Sequence, residues 1–311
     1  MKSASGDNIT LKIREKAFNL GFQLCGIAKA RKLSERESVI NSWLQAGMND
    51  KMEYLGRNLD KRLDPAILFP GAKSLVVTGL SYNTDIKQKH PGVPVLSRYT
   101  YGLDYHKAII PKLGKLLEYV RTINPEAEGK AVSDSAPLLE KAWAVEAGFG
   151  WQGRHSVVIN KKFGSFIFIG VLILNIELDY DRPYTEEHCG DCRLCVEECP
   201  TGAINDNRTI DTRRCIANLT IENRGPIPSV LIPKLGRRVY GCDKCQEVCP
   251  WNKKAKKDLT PEFSIDPRIA EMKLEEWLSL PREKFTRLFR DTAVERVKYE
   301  DFIRNIRAVT G

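Results

Sequence analysis

The sequence predicts an α+β fold built in three parts, and three observations predict it. Residues 1–178 alternate helical and extended patterns. Residues 179–256 hold eight of the nine cysteines, grouped at close, repeating spacings. Residues 257–311 read as helix, with mixed charge. At 311 residues the chain has room for a sizeable core and a smaller appended module.

The elements follow in order. Residues 8–20 have helical periodicity, with Leu11, Ala17, Phe18 and Leu20 apolar, and Gly21 ends the helix. FQLCGIAKA (22–30) reads as a short strand in which Cys25 is a small core hydrophobe without chemistry. Ser34 and Glu37 have the spacing of a capping box, opening a helix that runs to Ala46 and stops at Gly47. An irregular basic stretch with Arg57 and Arg62 leads into a buried strand, SLVVTGLSY (74–82), and residues 83–97 form a polar, proline-containing loop. Asp104 caps a helix over 105–123 despite Pro111, and His106 in its first turn is structural. KAVSD (130–134) is a strand, after which Pro137 opens the next helix. Asp134 therefore falls at a strand's carboxyl end and just before a helix, where it reads either as that helix's cap or as a site at which such folds present chemistry. SVVIN and SFIFIGVLILN are expected to pair as a hairpin around KKFG.

Several classes are excluded. No apolar run approaches the 18 or so residues of a membrane span. The first residues have neither an apolar core nor a twin arginine, so a cytoplasmic location is expected. Cysteines at metal-ligand spacing fit that reducing compartment. No G-x-G-x-x-G follows a strand and no P-loop is present, so the ordinary nucleotide sites are absent. The net charge of +9 is uneven: Arg213–Lys257 holds 11 Lys and Arg against 3 Asp and Glu. That window reads either as a solvated loop balancing anionic thiolates or as a phosphate-binding face.

The cysteine run Cys189–Pro200, C-x₂-C-x₂-C-x₃-C-P, is the one bacterial ferredoxins use for two iron–sulfur clusters. Its second half is Cys242, Cys245 and Cys249-Pro250, with Cys215 as the remaining ligand and 26 residues (216–241) inserted before Cys242. Ligation is expected to interleave. Cys189, Cys192, Cys195 and Cys249 hold one 4Fe-4S cluster, and Cys199, Cys215, Cys242 and Cys245 hold the other. Zinc is the alternative for thiolate ligands, and this repeated spacing disfavours it. Two such clusters make a single-electron wire, fed by an electron-donating reductase, flavodoxin or ferredoxin. The acceptor stays open on these grounds.

RYTYGLDYHK (98–107), VSDSAPLLEKAWAVEAGFGWQG (132–153), HCGDCRLCVEECPTGAI (188–204), RRCIANLTIE (213–222) and YGCDKCQEVCPWN (240–252) resemble the epoxyqueuosine reductases. The resemblance runs over nearly the whole chain. It implies a nitroreductase-like α/β cobalamin-binding domain (1–178), a two-cluster ferredoxin-like domain (179–256) and a helical C-terminal segment (257–311). It also implies kinship with reductive dehalogenases, a monomer, and reduction of epoxyqueuosine to queuosine at the wobble position of tRNA anticodons. By the same resemblance Asp134 is the proton donor, with a pKa raised by burial against the corrin. Arg57, Ser97, Asp134, Val158 and Asp243 are the expected cobalamin contacts. Lys141, Arg237, Arg238, Lys253, Lys254, Lys256 and Lys257 are the expected tRNA contacts, without the helical-repeat extension of longer members. The rival readings are a dehalogenase-like reductase of a small molecule and a non-catalytic electron carrier.

Overall fold

The computed structural model describes residues 4–257 and 260–311. Its centre is a four-stranded antiparallel sheet of β1 (Leu24–Lys29), β2 (Ser74–Ser81), β3 (Gly129–Val132) and β4 (Ile167–Leu174), in the order β1-β2-β4-β3. β2 is buried along its whole length, because both faces of the sheet are covered. Val76 and Leu80 point into a core shared with Ile13 and Ala17 of α1 (Ala4–Asn19). Ile109, Leu113 and Leu116 reach that core from a later helix, residues Tyr105–Ile123. Leu75 and Val77 point the other way, into a core with Trp143 and Ala144. Gly170 allows the first helix layer its close approach: a Cβ there would lie 2.4 Å from Ile109.

The helices used below are α1, α2 (Ser34–Gln45), α3 (Tyr105–Ile123), α4 (Glu140–Glu146) and, near the C-terminus, α5 (Tyr299–Thr310), with further short helices between, Arg282–Leu288 among them. Asp104 caps α3 as its sequence suggests, its carboxylate accepting from the His106 amide at 2.9 Å. His106 Nδ1 closes on the same carboxylate oxygen at 2.6 Å, a structural pairing.

Four local expectations are corrected. Ser34 is the first residue of α2 rather than its cap, and Leu33 at the cap makes no side-chain bond. Glu37 pairs instead with Lys32 at 3.1 Å. The helix after Pro137 starts at Glu140, because the chain first turns through 133–139. Val158–Ile159 pairs with Trp151–Gln152 and meets the next segment only at an Asn160–Gly164 bridge, so β4 is free to join the main sheet. Among the described side chains of α1, the buried ones are Thr10, Ile13 and Ala17, whereas Leu11 and Phe18 lie on the exposed face.

The inserted segment and the C-terminal helices fold together. Val239 and Tyr240 enter one core with Trp277, Phe285, Phe302 and Ile306. Burying Phe302 and Ile306 is worth about 1.5–3 kcal/mol each, which holds a 12-residue helix that is marginal alone. Arg238–Tyr240 also forms a parallel pair with Val95–Leu96, so the expected loop at 83–97 ends in a strand that stitches the insertion to the first part of the chain.

Candidate functional site

β3 ends at Val132 and the chain turns at once. Ser133 Oγ donates to the Ile169 carbonyl on β4 at 2.8 Å. Asp134 then takes a left-handed backbone, φ 53°. A non-glycine residue in that region costs on the order of 1–3 kcal/mol, so its surroundings must hold it. The Asp134 amide donates to Glu140 Oε1 at 2.5 Å, and the Tyr105 hydroxyl donates to Asp134 Oδ2 at 2.7 Å. Tyr105 is itself fixed by stacking on Phe168, with ring centres 4.5 Å apart.

Asp134 is exposed in the chain alone. Burial falls on Glu140, whose carboxyl turns inward. Its pKa is raised to about 8, first by loss of water and then by the nearby Asp134 charge. The same Asp134 charge acts on Tyr54 and Arg62. Arg62 donates to the Tyr54 carbonyl at 3.1 Å, while its buried Nε has no partner. From the C-terminal part, Arg296 pairs with Glu222 at 2.7 Å and acts on Tyr240, Tyr99 and Tyr54. Residues distant in sequence therefore come within electrostatic reach of one another around Tyr54, which feels both Asp134 and Arg296.

The eight clustered thiols fall into two neighbourhoods. Cys189, Cys192, Cys195 and Cys249 line a cavity of about 220 Å³. Burial, and then the charges of Cys189, Cys249 and Cys192, push the Cys195 thiol up to about 11. Cys199 acts on Cys215, Cys215 on Cys242, and Cys242 and Cys215 on Cys245. Cys195 also acts on Cys245, so the two neighbourhoods adjoin. Trp151 Nε1 donates to Cys189 Sγ at 3.4 Å, and the Ala203 amide donates to Cys199 Sγ at 3.3 Å. Among the described residues, no three His, Cys, Asp or Glu side chains converge to hold a single metal ion. The first set surrounds a volume instead. Cys25 stands apart, its thiol pushed up to about 12 mainly by burial beside β2.

Ser97 and Asp243 line a second cavity of about 400 Å³, together with Arg98, Arg237, Arg238 and Cys242. They are bonded to each other: Ser97 Oγ donates to Asp243 Oδ1 at 2.8 Å, and the Arg98 amide donates to Oδ2 at 2.8 Å. Gly241 makes this possible, since with φ 73° a Cβ would lie 2.5 Å from Ser97 Oγ. Val158 is buried in the sheet core with Phe149 and Trp143. Arg57 is exposed, beside Glu53 at 3.7 Å.

The family model described as "Epoxyqueuosine reductase QueG, DUF1730" matches residues 62–135, and that described as "4Fe-4S double cluster binding domain" matches residues 188–252. The epoxyqueuosine reductase of Cellulophaga algicola is 40% identical over 294 residues, covering 94% of this chain and 95% of the relative. That of Escherichia coli is 37% identical over 310 residues, covering 98% and 81%. The chain belongs to the epoxyqueuosine reductase family. A crystal structure of epoxyqueuosine reductase with a tRNA-Tyr epoxyqueuosine-modified stem loop superimposes with a TM-score of 0.90 at 28% identity, over 97% of this chain and 80% of that one. The Bacillus subtilis enzyme, described with its Asp134 catalytic loop swung out of the active site, gives 0.89 at 27%, over 97% and 81%.

Within this family fold, a mixed α+β body with a 4Fe-4S double-cluster domain, the basic window divides. Arg237 and Arg238 border the Ser97–Asp243 cavity and spend donors on the Val93 and Leu235 carbonyls, at 3.1 and 3.3 Å. Lys254 borders the first thiol cavity, and Lys253 beside it is exposed. Lys257 is paired with Asp85 at 3.1 Å, and the Lys256 amide donates to the Lys162 carbonyl at 2.8 Å. Lys141 is exposed and acts on both His155 and Cys215. No helix among the described residues is long and apolar enough to cross a membrane.

Sequence reasoning missed Glu140, Tyr105, Tyr54 and Arg296 as surroundings of Asp134. Glu140 carried a usable signal: a carboxylate six residues after Asp134, inside DSAPLLEKAWA. Tyr54 and Arg296 carried none, since only the tertiary fold brings them near.

Proposed function

We propose that this member of the family reduces epoxyqueuosine to queuosine at the wobble position of a tRNA anticodon, in the cytoplasm and as a monomer, using cobalamin and two 4Fe-4S clusters. The observation that carries the assignment of the site is Asp134, held in left-handed backbone by Tyr105 and Glu140. The catalytic loop named for Asp134 in the Bacillus subtilis enzyme, and the tRNA stem loop bound by another relative, support the reading.

The residues present fit a corrin. The unpartnered Arg62 Nε and the free face of Arg57 supply donors for its amide carbonyls and phosphate. Ser97, Val158 and Asp243 contribute backbone and packing rather than free side-chain groups. When bound, cobalamin supplies a reduced cobalt centre able to attack or donate electrons to the strained epoxide. The two thiol sets, Cys189, Cys192, Cys195 and Cys249, then Cys199, Cys215, Cys242 and Cys245, each hold one cluster and pass electrons singly from an external reductase, flavodoxin or ferredoxin.

Loss of the epoxide oxygen as water consumes two electrons and two protons. Asp134 hands one proton, taken up beforehand from solvent, to the oxygen as the carbon–oxygen bond breaks, and solvent supplies the second proton with which the oxygen leaves as water. Tyr105 keeps the Asp134 carboxylate aimed, and Glu140, protonated near neutrality, holds the loop and a proton beside it. The tRNA backbone lies against Lys253, Lys254, Lys256 and Lys257, with Arg237 and Arg238 at the second cavity and Lys141 near the anticodon.

The test is nucleoside analysis of tRNA from cells lacking this gene. Epoxyqueuosine should accumulate, and the wild-type chain should restore queuosine. Restoration by a chain with Asp134→Asn, or normal queuosine in the deletion strain, would remove the assignment.

A further inference from the structure

The cavity of the first thiol set contains a polar group that no role above uses. His155 is 3% exposed and lines that cavity with Cys189, Cys192, Cys195 and Cys249. Its Nδ1 accepts from the Val157 amide at 3.3 Å. The ring proton therefore sits on Nε2. That atom is buried and has no partner. The other edge of the ring faces its own loop: a Cβ on Gly153 would lie 2.9 Å from Cε1 and 3.2 Å from Nδ1. A buried donor without an acceptor costs about 1–3 kcal/mol, which a ligand in the cavity would relieve.

The neighbouring groups fit an anionic ligand rich in sulfur. Trp151 Nε1 already donates to Cys189 Sγ at 3.4 Å. Arg154 and Lys254 line the same cavity, and Arg154 Nη2 donates to the Gly190 carbonyl at 2.7 Å. His188, also on the wall, is engaged elsewhere, with the Tyr184 hydroxyl at 2.8 Å and Glu186 at 2.9 Å. Only His155 offers an unspent imidazole N–H among the wall's histidines.

We propose that His155 donates its Nε2–H to a sulfur of the cluster held by Cys189, Cys192, Cys195 and Cys249, and so raises the reduction potential of that cluster over its neighbour. This rests on the assignment of those four cysteines to one cluster. A hydrogen bond to a cluster sulfur stabilises the more negative, reduced state. His155 is a positioning and tuning residue here, and it transfers no proton.

The experiment uses the full-length chain with both clusters loaded. Iron and sulfide content is measured first, and low content would fault the cysteine assignment rather than the role of His155. Midpoint potentials are then read by EPR-monitored titration. His155→Leu should shift one cluster towards harder reduction by about tenfold in the equilibrium, ~59 mV for one electron, and leave the other unchanged. His155→Gln, which keeps an N–H, should stay near wild type. Wild-type chain labelled with ¹⁵N-histidine should show a nitrogen coupling to the reduced cluster by pulsed EPR. That coupling should vanish in His155→Leu and persist in His188→Phe. Unchanged potentials in His155→Leu, an equal shift of both clusters, or no histidine coupling in the wild type would overturn the proposal. The wild-type coupling decides the matter even if both His155 variants lose iron.

Discussion

The main-chain amide of Asp134 donates to the Glu140 carboxylate at 2.5 Å, six residues further on. That bond ties a loop residue in left-handed backbone to the first turn of a helix. It also places a buried carboxyl, with a pKa of about 8, behind an exposed one.

Glu140 sets a pH dependence of stability. Its folded pKa lies above the ordinary carboxylate value near 4.3, so the folded chain binds the extra proton between about pH 4.3 and 8. Stability is full below that window and falls as pH rises through it. Glu140→Gln stays neutral and can still accept from the Asp134 amide. Its Tm should exceed that of wild type more at pH 8 than at pH 5. Parallel Tm profiles would contradict the assignment.

Asp134→Asn keeps the size of the side chain and removes the acid. Turnover of epoxyqueuosine-containing tRNA should fall roughly 10²–10⁴-fold, while absorbance shows full cluster and cobalamin content. Near-normal turnover would take Asp134 out of the chemistry.

Tyr105→Phe deletes one hydroxyl that donates to a carboxylate. That bond aims an exposed carboxylate rather than holding the core, so single-turnover rates should drop on the order of ten- to a hundredfold through lost orientation. The stack on Phe168 remains, and Tm should move little. A large Tm loss with an unchanged rate would assign Tyr105 to the core alone.

The two thiol neighbourhoods predict separable losses. Cys249→Ser and Cys245→Ser should each remove roughly half of the iron, and the two should leave different EPR spectra. Identical residual spectra would break the interleaved assignment.

For tRNA binding, Lys253 and Lys254 should each contribute about one unit to the slope of affinity against salt on logarithmic axes. Lys257, already paired with Asp85, should contribute less. Filter binding of Lys253→Ala, Lys254→Ala and Lys257→Ala across a salt series measures this, and equal slopes in all three would overturn the ranking.

What the sequence made legible was local. The cysteine spacing announces a double-cluster module because such ligands must come at fixed separations, and Asp104 announces its helix because a cap acts within three residues. Ser34 and Glu37 have the right letters but not the geometry, since Lys32 draws the glutamate away. Val158–Ile159 looked like a partner for the long strand, yet Trp151–Gln152 lies nearer and takes it. Tyr54 and Arg296 join the surroundings of Asp134 only after the sheet, the insertion and the tail have assembled, so no window along the chain could reveal them.

Asn305, wholly buried on α5, donates through Nδ2 to the carbonyls of Thr220 at 2.8 Å and Val239 at 2.9 Å. Those carbonyls lie inside the insertion, five residues after Cys215 and three before Cys242. One side-chain amide thus ties two points of that segment to α5, at sequence separations of 85 and 66 residues. Leaving both buried carbonyls without a donor would cost about 1–3 kcal/mol each, so the stretch that joins two cysteines of the second set leans on a helix far along the chain.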